Sequence, residues 1–277
     1  MNADSGQGQL FRDYLRGRLA VWAMALGSFG VFVYGAWKGS VPIMLAGPAA
    51  VAVGVIGVAW LAADRAAARR FYSSFAESVG LGYARQAEVL TLTPLLGAGS
   101  RQHTEHWMFG RLPGGLEGGV GHFVWERAER DSDGHRDVKE RNRFTICVAD
   151  LEASLSLFRG VFLHPRRGFI APYSEWLGSA PTRTVEVESA EFGQRYELRL
   201  ATDQDQILAR RLMSPTMVSW LANHPLTPGF ELKAGALCVF VPRPLADAGS
   251  ITFLLDATRH LAGRVVAEVE EERIRVA

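Results

Sequence analysis

Lysine is nearly absent. Of the 30 basic residues, only Lys38, Lys139 and Lys233 are lysines. With abundant alanine and glycine, that arginine bias points to a GC-rich bacterial genome and says nothing of chemistry. Cysteine is scarce as well. The chain has two, Cys147 and Cys238, inside the apolar stretches 144–148 and 236–241. They read as buried thiols in strands, and a bond between them is disfavoured if the domain faces the cytoplasm. Charge of one sign is missing too. The net charge is +1, so there is no basic domain or stripe to hold a nucleic acid. No Gly-Lys-Ser/Thr phosphate loop and no Gly-x-Ser-x-Gly nucleophile elbow occurs. No catalytic residue and no cofactor is therefore expected, and an enzyme is the less favoured reading.

Charge is also missing from two long runs. Leu19 to Trp37 has no charged residue, and neither has Val41 to Ala63; only Lys38, Gly39 and Ser40 separate them. A helix rises about 1.5 Å per residue, so each run could cross a hydrocarbon core of roughly 30 Å. The expectation is a transmembrane helical hairpin with spans 19–37 and 41–63, following a cytoplasmic N-terminal segment, 1–18. Arg12, Arg16 and Arg18 precede it, and Arg65, Arg69 and Arg70 follow it. Basic residues favour the cytoplasmic side. The expected place is thus a bacterial inner (plasma) membrane, as a multi-pass integral protein with both termini cytoplasmic and the lipid bilayer as a partner. Small residues at four-residue spacing (Ala23 and Gly27, Gly35 and Gly39, Ala46, Ala50 and Gly54) suit close packing of the two spans. Self-association between chains is their sharper use. Neither span holds an Asp, Glu, Lys, Arg or His, which argues against a channel or transporter.

Beyond the hairpin the chain turns polar. Residues 64–80 continue as a juxtamembrane helix, with Phe71, Phe75 and Val79 on one stripe and Gly80 and Gly82 as its stop. Thr93 to Leu96 reads as a short helix. Residues 81–277 then read as an α+β domain of antiparallel strands with helices on one face. Strand-like segments surround the glycine-rich Gly110–Gly121 and the charged Arg127–Arg141, expected as a long exposed hairpin loop. Residues 182–188 and 195–200 alternate with period two. Asp203, Ser214 and Ser250 are candidate helix caps. Ala234-Gly235 should turn a closing hairpin. The last helix carries the stripe Ile251, Leu254, Leu255, Leu261, Val265 and Val269.

Two stretches carry a family resemblance. One runs from Phe109 through the glycines to Trp125, then resumes at Arg143–Leu151. The other spans Val185–Leu198 and Ala209–Leu221, with Glu191-Phe-x-x-Arg195-Tyr196 ahead of a helix. Together they resemble uncharacterised two-span bacterial membrane proteins, mainly actinobacterial; Tyr196 stands where that family often has Phe. The resemblance implies a membrane-anchored domain of unknown function and assigns no site residue.

Among side chains that could carry chemistry, His103-x-x-His106 is the best metal candidate, because residues three apart meet on one helix face. The segment reads instead as loop passing into strand, so solvated histidines are the default. His122 and His135 could join only through the fold. Asp256 and His260 are four apart on the last helix and suit an ion pair or an N–H to carboxylate bond. Trp107, Trp125, Trp176 and Trp220 are expected in packing. The functional expectation is a membrane-anchored cytoplasmic domain with a protein-interaction or scaffolding role and an unknown protein partner. The alternative is an enzyme or small-molecule sensor whose site is dispersed in sequence, with His103, His106 and His122 the first positions to inspect.

Overall fold

The computed structural model describes residues 31–34, 36–39, 41–130, 136–166, 181–187 and 189–276. Two compact units divide the chain, Met1–Arg70 and Phe71–Ala277. In the first unit the described structure is chiefly one helix, α1 (Val41–Ser78), whose last residues enter the second.

This helix corrects the expected hairpin. Among the described residues, no helix is long and apolar enough to cross a membrane. Nothing breaks α1 at Ala63: it runs on through Asp64, Arg65, Arg69 and Arg70. Residues 19–30 of the expected first span lie outside the described residues. The two-span hairpin is overturned on this finding. With it go the integral-membrane assignment, the lipid bilayer as partner, association through the small-residue stripes, and the inner-membrane placement with both termini cytoplasmic.

The second unit is built on one nine-stranded sheet. Its strands are β1 (Gly82–Ala84), β2 (Arg101–Arg111), β3 (Glu117–Arg130), β4 (Arg136–Asp150), β5 (Val161–Pro165), β6 (Thr182–Val185), β7 (Tyr196–Ala201), β8 (Gly229–Lys233) and β9 (Ala236–Val241). Their order is β1-β2-β3-β4-β9-β8-β5-β7-β6, and every neighbouring pair is antiparallel. Among the described residues the sheet is accompanied by the α-helices α2 (Ala190–Arg195), α3 (Gln206–Leu212), α4 (Pro215–Asn223) and α5 (Ala248–Val276) and a short 3-10 turn, Glu152–Ser156.

Local rules account for most joints. Ser214 accepts a hydrogen bond from Met217 N and Pro215 opens α4, as the cap rule requires. Ala234 and Gly235 both have positive φ, 52° and 76°, which suits the two-residue turn between β8 and β9. Two caps are displaced from expectation. Asp205, not Asp203, caps α3, and Asp247 rather than Ser250 serves α5, its carboxylate accepting from Ser250 N. Thr93–Leu96 forms a turn, not a helix. The charged Arg127–Arg141 is not one loop either. Strand pairing reaches Arg130 and Arg136. His135 lies outside the described residues.

Two layers cover the sheet. On one side α5 packs over β4 and β9, burying Ile251, Leu254, Leu255, Leu261, Val265 and Val269. On the other side Leu95 and Leu96 join Phe123, Trp125, Phe144, Phe162 and Phe240 in one core cluster. Cys147 and Val148 pair with Val239 and Cys238, so alternation puts the two thiols on opposite faces. Both are free and buried; burial pushes the Cys147 thiol up to about 12. The glycine-rich stretch has two uses. Gly114 and Gly115 turn with positive φ, while Gly119 and Gly121 leave β3 bare where Trp107 lies against it.

Candidate functional site

The predicted histidines come first. His103, Glu105 and His106 are all in β2, not in a loop. Strict alternation would put residues three apart on opposite faces. A bulge intervenes: the register slips between Glu105 and Met108, and His106 sits there with φ 54°. The extra residue turns His106 towards Tyr72 from the end of α1, where the rings stack at 4.5 Å. Tyr83 Oη lies 2.8 Å from His106 Nδ1. His122 joins the same cluster, its ring 6.1 Å from that of His106. Tyr72 donates to the Leu245 carbonyl at 2.8 Å, and His122 Nε2 lies 3.1 Å from that oxygen. Burial pushes the Tyr72 hydroxyl up to about 12 and the His122 ring below its usual range.

The structure thus unites His106 and His122 but not around a metal. His103 is drawn aside to Glu105, 3.6 Å away, and Glu105 also pairs with Arg143 and Arg141. Among the described residues no group of three or more His, Cys, Asp or Glu side chains could hold a metal ion. Tyr83 faces His106 Nδ1, and Tyr72 and the Leu245 carbonyl face His122 Nε2.

A second buried pair is equally closed. Glu231, fully buried on β8, accepts from Leu95 N at 2.8 Å and lies 3.0 Å from His164 Nε2. Burial lowers the His164 pKa against the pull of that carboxylate. The pair ties the 85–100 segment to the sheet, which is a structural task.

The open site lies elsewhere, between α4 and α5. Trp220 on α4 is flanked by two histidines, His260 of α5 stacked at 4.4 Å and His224 edge-on at 4.9 Å. Phe253 of α5 stands 50% exposed beside them. The groove has a volume of about 910 Å³ and is open along its length, with Pro215 and Asn223 on one wall. Asp256 pairs with Arg259 at 3.0 Å, so the expected Asp256–His260 pair does not form; the His260 ring turns to Trp220 instead. Burial lowers the pKa of both histidines. The His224 ring is held down further by His260, and the His260 ring by Arg259. Both rings are therefore neutral near pH 7, and the groove presents aromatic faces with little net charge.

Trp220, expected in packing, instead lines the groove, and Phe253 is not among the expected site residues. One signal was available. Phe253 falls off the stripe Ile251, Leu254, Leu255, so a large apolar ring sits on the solvent side of an otherwise amphipathic helix. Trp125 and Trp107 are buried as expected, and Trp176 lies outside the described residues.

No family model matches the chain, and no curated protein matches it. Among solved structures, the crystal structure of the mycobacterial trehalose monomycolate transport factor A, TtfA, is similar at 14% sequence identity, over 72% of this chain and 94% of that chain, with a TM-score of 0.49. A likeness that weak carries no argument about what this chain does.

Proposed function

We propose that this domain is a protein-interaction module that takes an extended peptide segment of a partner into the α4–α5 groove. The observation that carries this reading is Phe253, half exposed beside Trp220 in an open groove. Aromatic anchors flanked by polar rims are where binding energy concentrates. Asn223 holds its amide N on Ser219 O at 2.8 Å, which leaves its side-chain oxygen to accept from a peptide N–H. The Asp256–Arg259 pair at the rim is exposed and adds orientation more than affinity.

The enzyme alternative had named His103, His106 and His122. One ring nitrogen of each faces a protein partner and they do not converge on one point, which favours the binding reading. Selection of a random-peptide phage library on the purified protein tests it. The expected result is an enriched sequence with an aromatic or large aliphatic anchor, binding at least tenfold more weakly to Phe253→Asp. No enrichment, or binders indifferent to that substitution, overturns the proposal.

A further inference from the structure

A different concavity lies where the end of α2, the turn after α4 and the end of β9 converge. Its volume is about 720 Å³, within the range of small-ligand pockets, roughly 300–1,000 Å³. It shares only Pro225 with the peptide groove, and nothing in the argument for it rests on the peptide reading.

Two guanidiniums line it. Arg195 is fixed in place: it donates to the Ala222 carbonyl and lies 3.5 Å from the Glu191 carboxylate. Arg243 is exposed, and no carboxylate among the described residues lies within ion-pair distance of it; Asp247 feels its charge from further off. Counting Arg195, Arg243 and Glu191, the lining carries a net +1, which matches a monovalent anion better than a dianion. Gln194 adds a polar amide, and the rest of the wall is apolar, with Leu226 and Val241 buried and Pro225 and Pro242 beside them. Thr227 completes the rim with φ 50°. A β-branched residue rarely holds that conformation.

The geometry points to a binding site for a small monoanionic amphiphile, its oxyanion held by the Arg243 and Arg195 guanidiniums and its apolar body against Leu226, Val241 and the two prolines. A planar guanidinium fork suits a carboxylate or a phosphodiester alike. Site preference between these two heads is decided by the experiment.

Calorimetric titration of the full chain with octanoate, dibutyl phosphate and the neutral octanol provides the test. The expected result is saturable binding of octanoate or dibutyl phosphate, whichever is tighter naming the head group, with octanol at least tenfold weaker. Arg243→Gln should weaken the anion at least tenfold and leave octanol unchanged. Added NaCl should weaken anion binding to the wild type and have little effect on what remains in Arg243→Gln. Because Arg243 contributes its backbone, not its side chain, to the bonds with Val241 and Thr145, the variant should fold with an unchanged Tm. Absence of saturable anion binding overturns the assignment. So does octanol binding as tightly as octanoate, or an Arg243→Gln protein that binds both anions like the wild type.

Discussion

Two clusters among the described residues set aromatic rings against a pair of histidines, and they differ in one respect that decides their roles. Around Tyr72, His106, His122 and Tyr83 the polar atoms are spent on each other and on the Leu245 carbonyl. Around Trp220, His224, His260 and Phe253 the rings line an open groove, and His224 Nδ1 accepts from Leu226 N at 3.3 Å. The first cluster has the residues that suggest chemistry, and its bonds tie them to one another and to the backbone. The second has less suggestive residues and an approachable surface. Histidine content is therefore a poor guide to a site; what counts is whether the bonding capacity is already used.

If the closed sites are structural, breaking them should cost stability and leave the groove intact. The largest effect is expected at Glu231. Its loss strands the Leu95 N–H and the His164 ring in a dry core, so Glu231→Ala should destabilise by about 3–5 kcal/mol. Chemical denaturation measures it. A loss below about 1 kcal/mol would mean that the pair is not the tie described here.

Tyr72→Phe comes next. It removes one donor to Leu245 O but leaves His122 Nε2 beside that oxygen, so a loss of about 1–2 kcal/mol is expected, with peptide binding unchanged. A variant that lost peptide affinity while keeping its Tm would reverse the comparison and make the buried cluster functional.

Acid should act on both regions with the same sign. The His122, His164, His224 and His260 rings all have pKa values lowered in the folded chain, chiefly by burial. The unfolded chain, with histidines near 6.5, then binds more protons than the folded one in the window below that value. Stability is full above about pH 6.5 and falls as the pH drops towards the lowered values. Melting curves at pH 7.5 and 5.5 should show that fall. His122→Gln should shrink it more than His260→Asn, because His260 is the more exposed ring. A Tm that rises on acidification contradicts the assigned protonation states.

Much of the local structure was legible and the site was not. The Ser214-Pro215 cap, the Ala234-Gly235 turn and the α5 stripe each follow from a rule that acts over a few residues. The α1 reading failed for a related reason. A hydropathy run registers apolar content; the helix expected to continue from residue 64 does run on, but among the described residues no helix is long and apolar enough to cross a membrane. The bulge at His106 was illegible because it depends on how β2 meets β3. The groove was half legible. Phe253 off its stripe is a local fact, whereas His224, Trp220 and His260 meet only because α4 is laid beside α5.

The smallest stability effect is also the sharpest test of the comparison. Phe253 is half exposed, so Phe253→Asp removes little buried area and introduces a charge that water can reach. Its neighbours on α5 keep their contacts, since Leu254 and Leu255 bury the opposite side of the helix. Unfolding free energy should therefore stay within about 0.5 kcal/mol of the wild type, as for surface changes generally. The aspartate does lie near Asp256 on the same face, three residues away, and the added repulsion is about 0.2–0.5 kcal/mol, the size of a helix pair. Against that small change stands the expected tenfold loss of peptide affinity, about 1.4 kcal/mol. A residue that matters more for binding than for folding is what separates an open site from a closed one. If Phe253→Asp instead unfolds the domain, the ring belongs to the core and the groove loses its anchor.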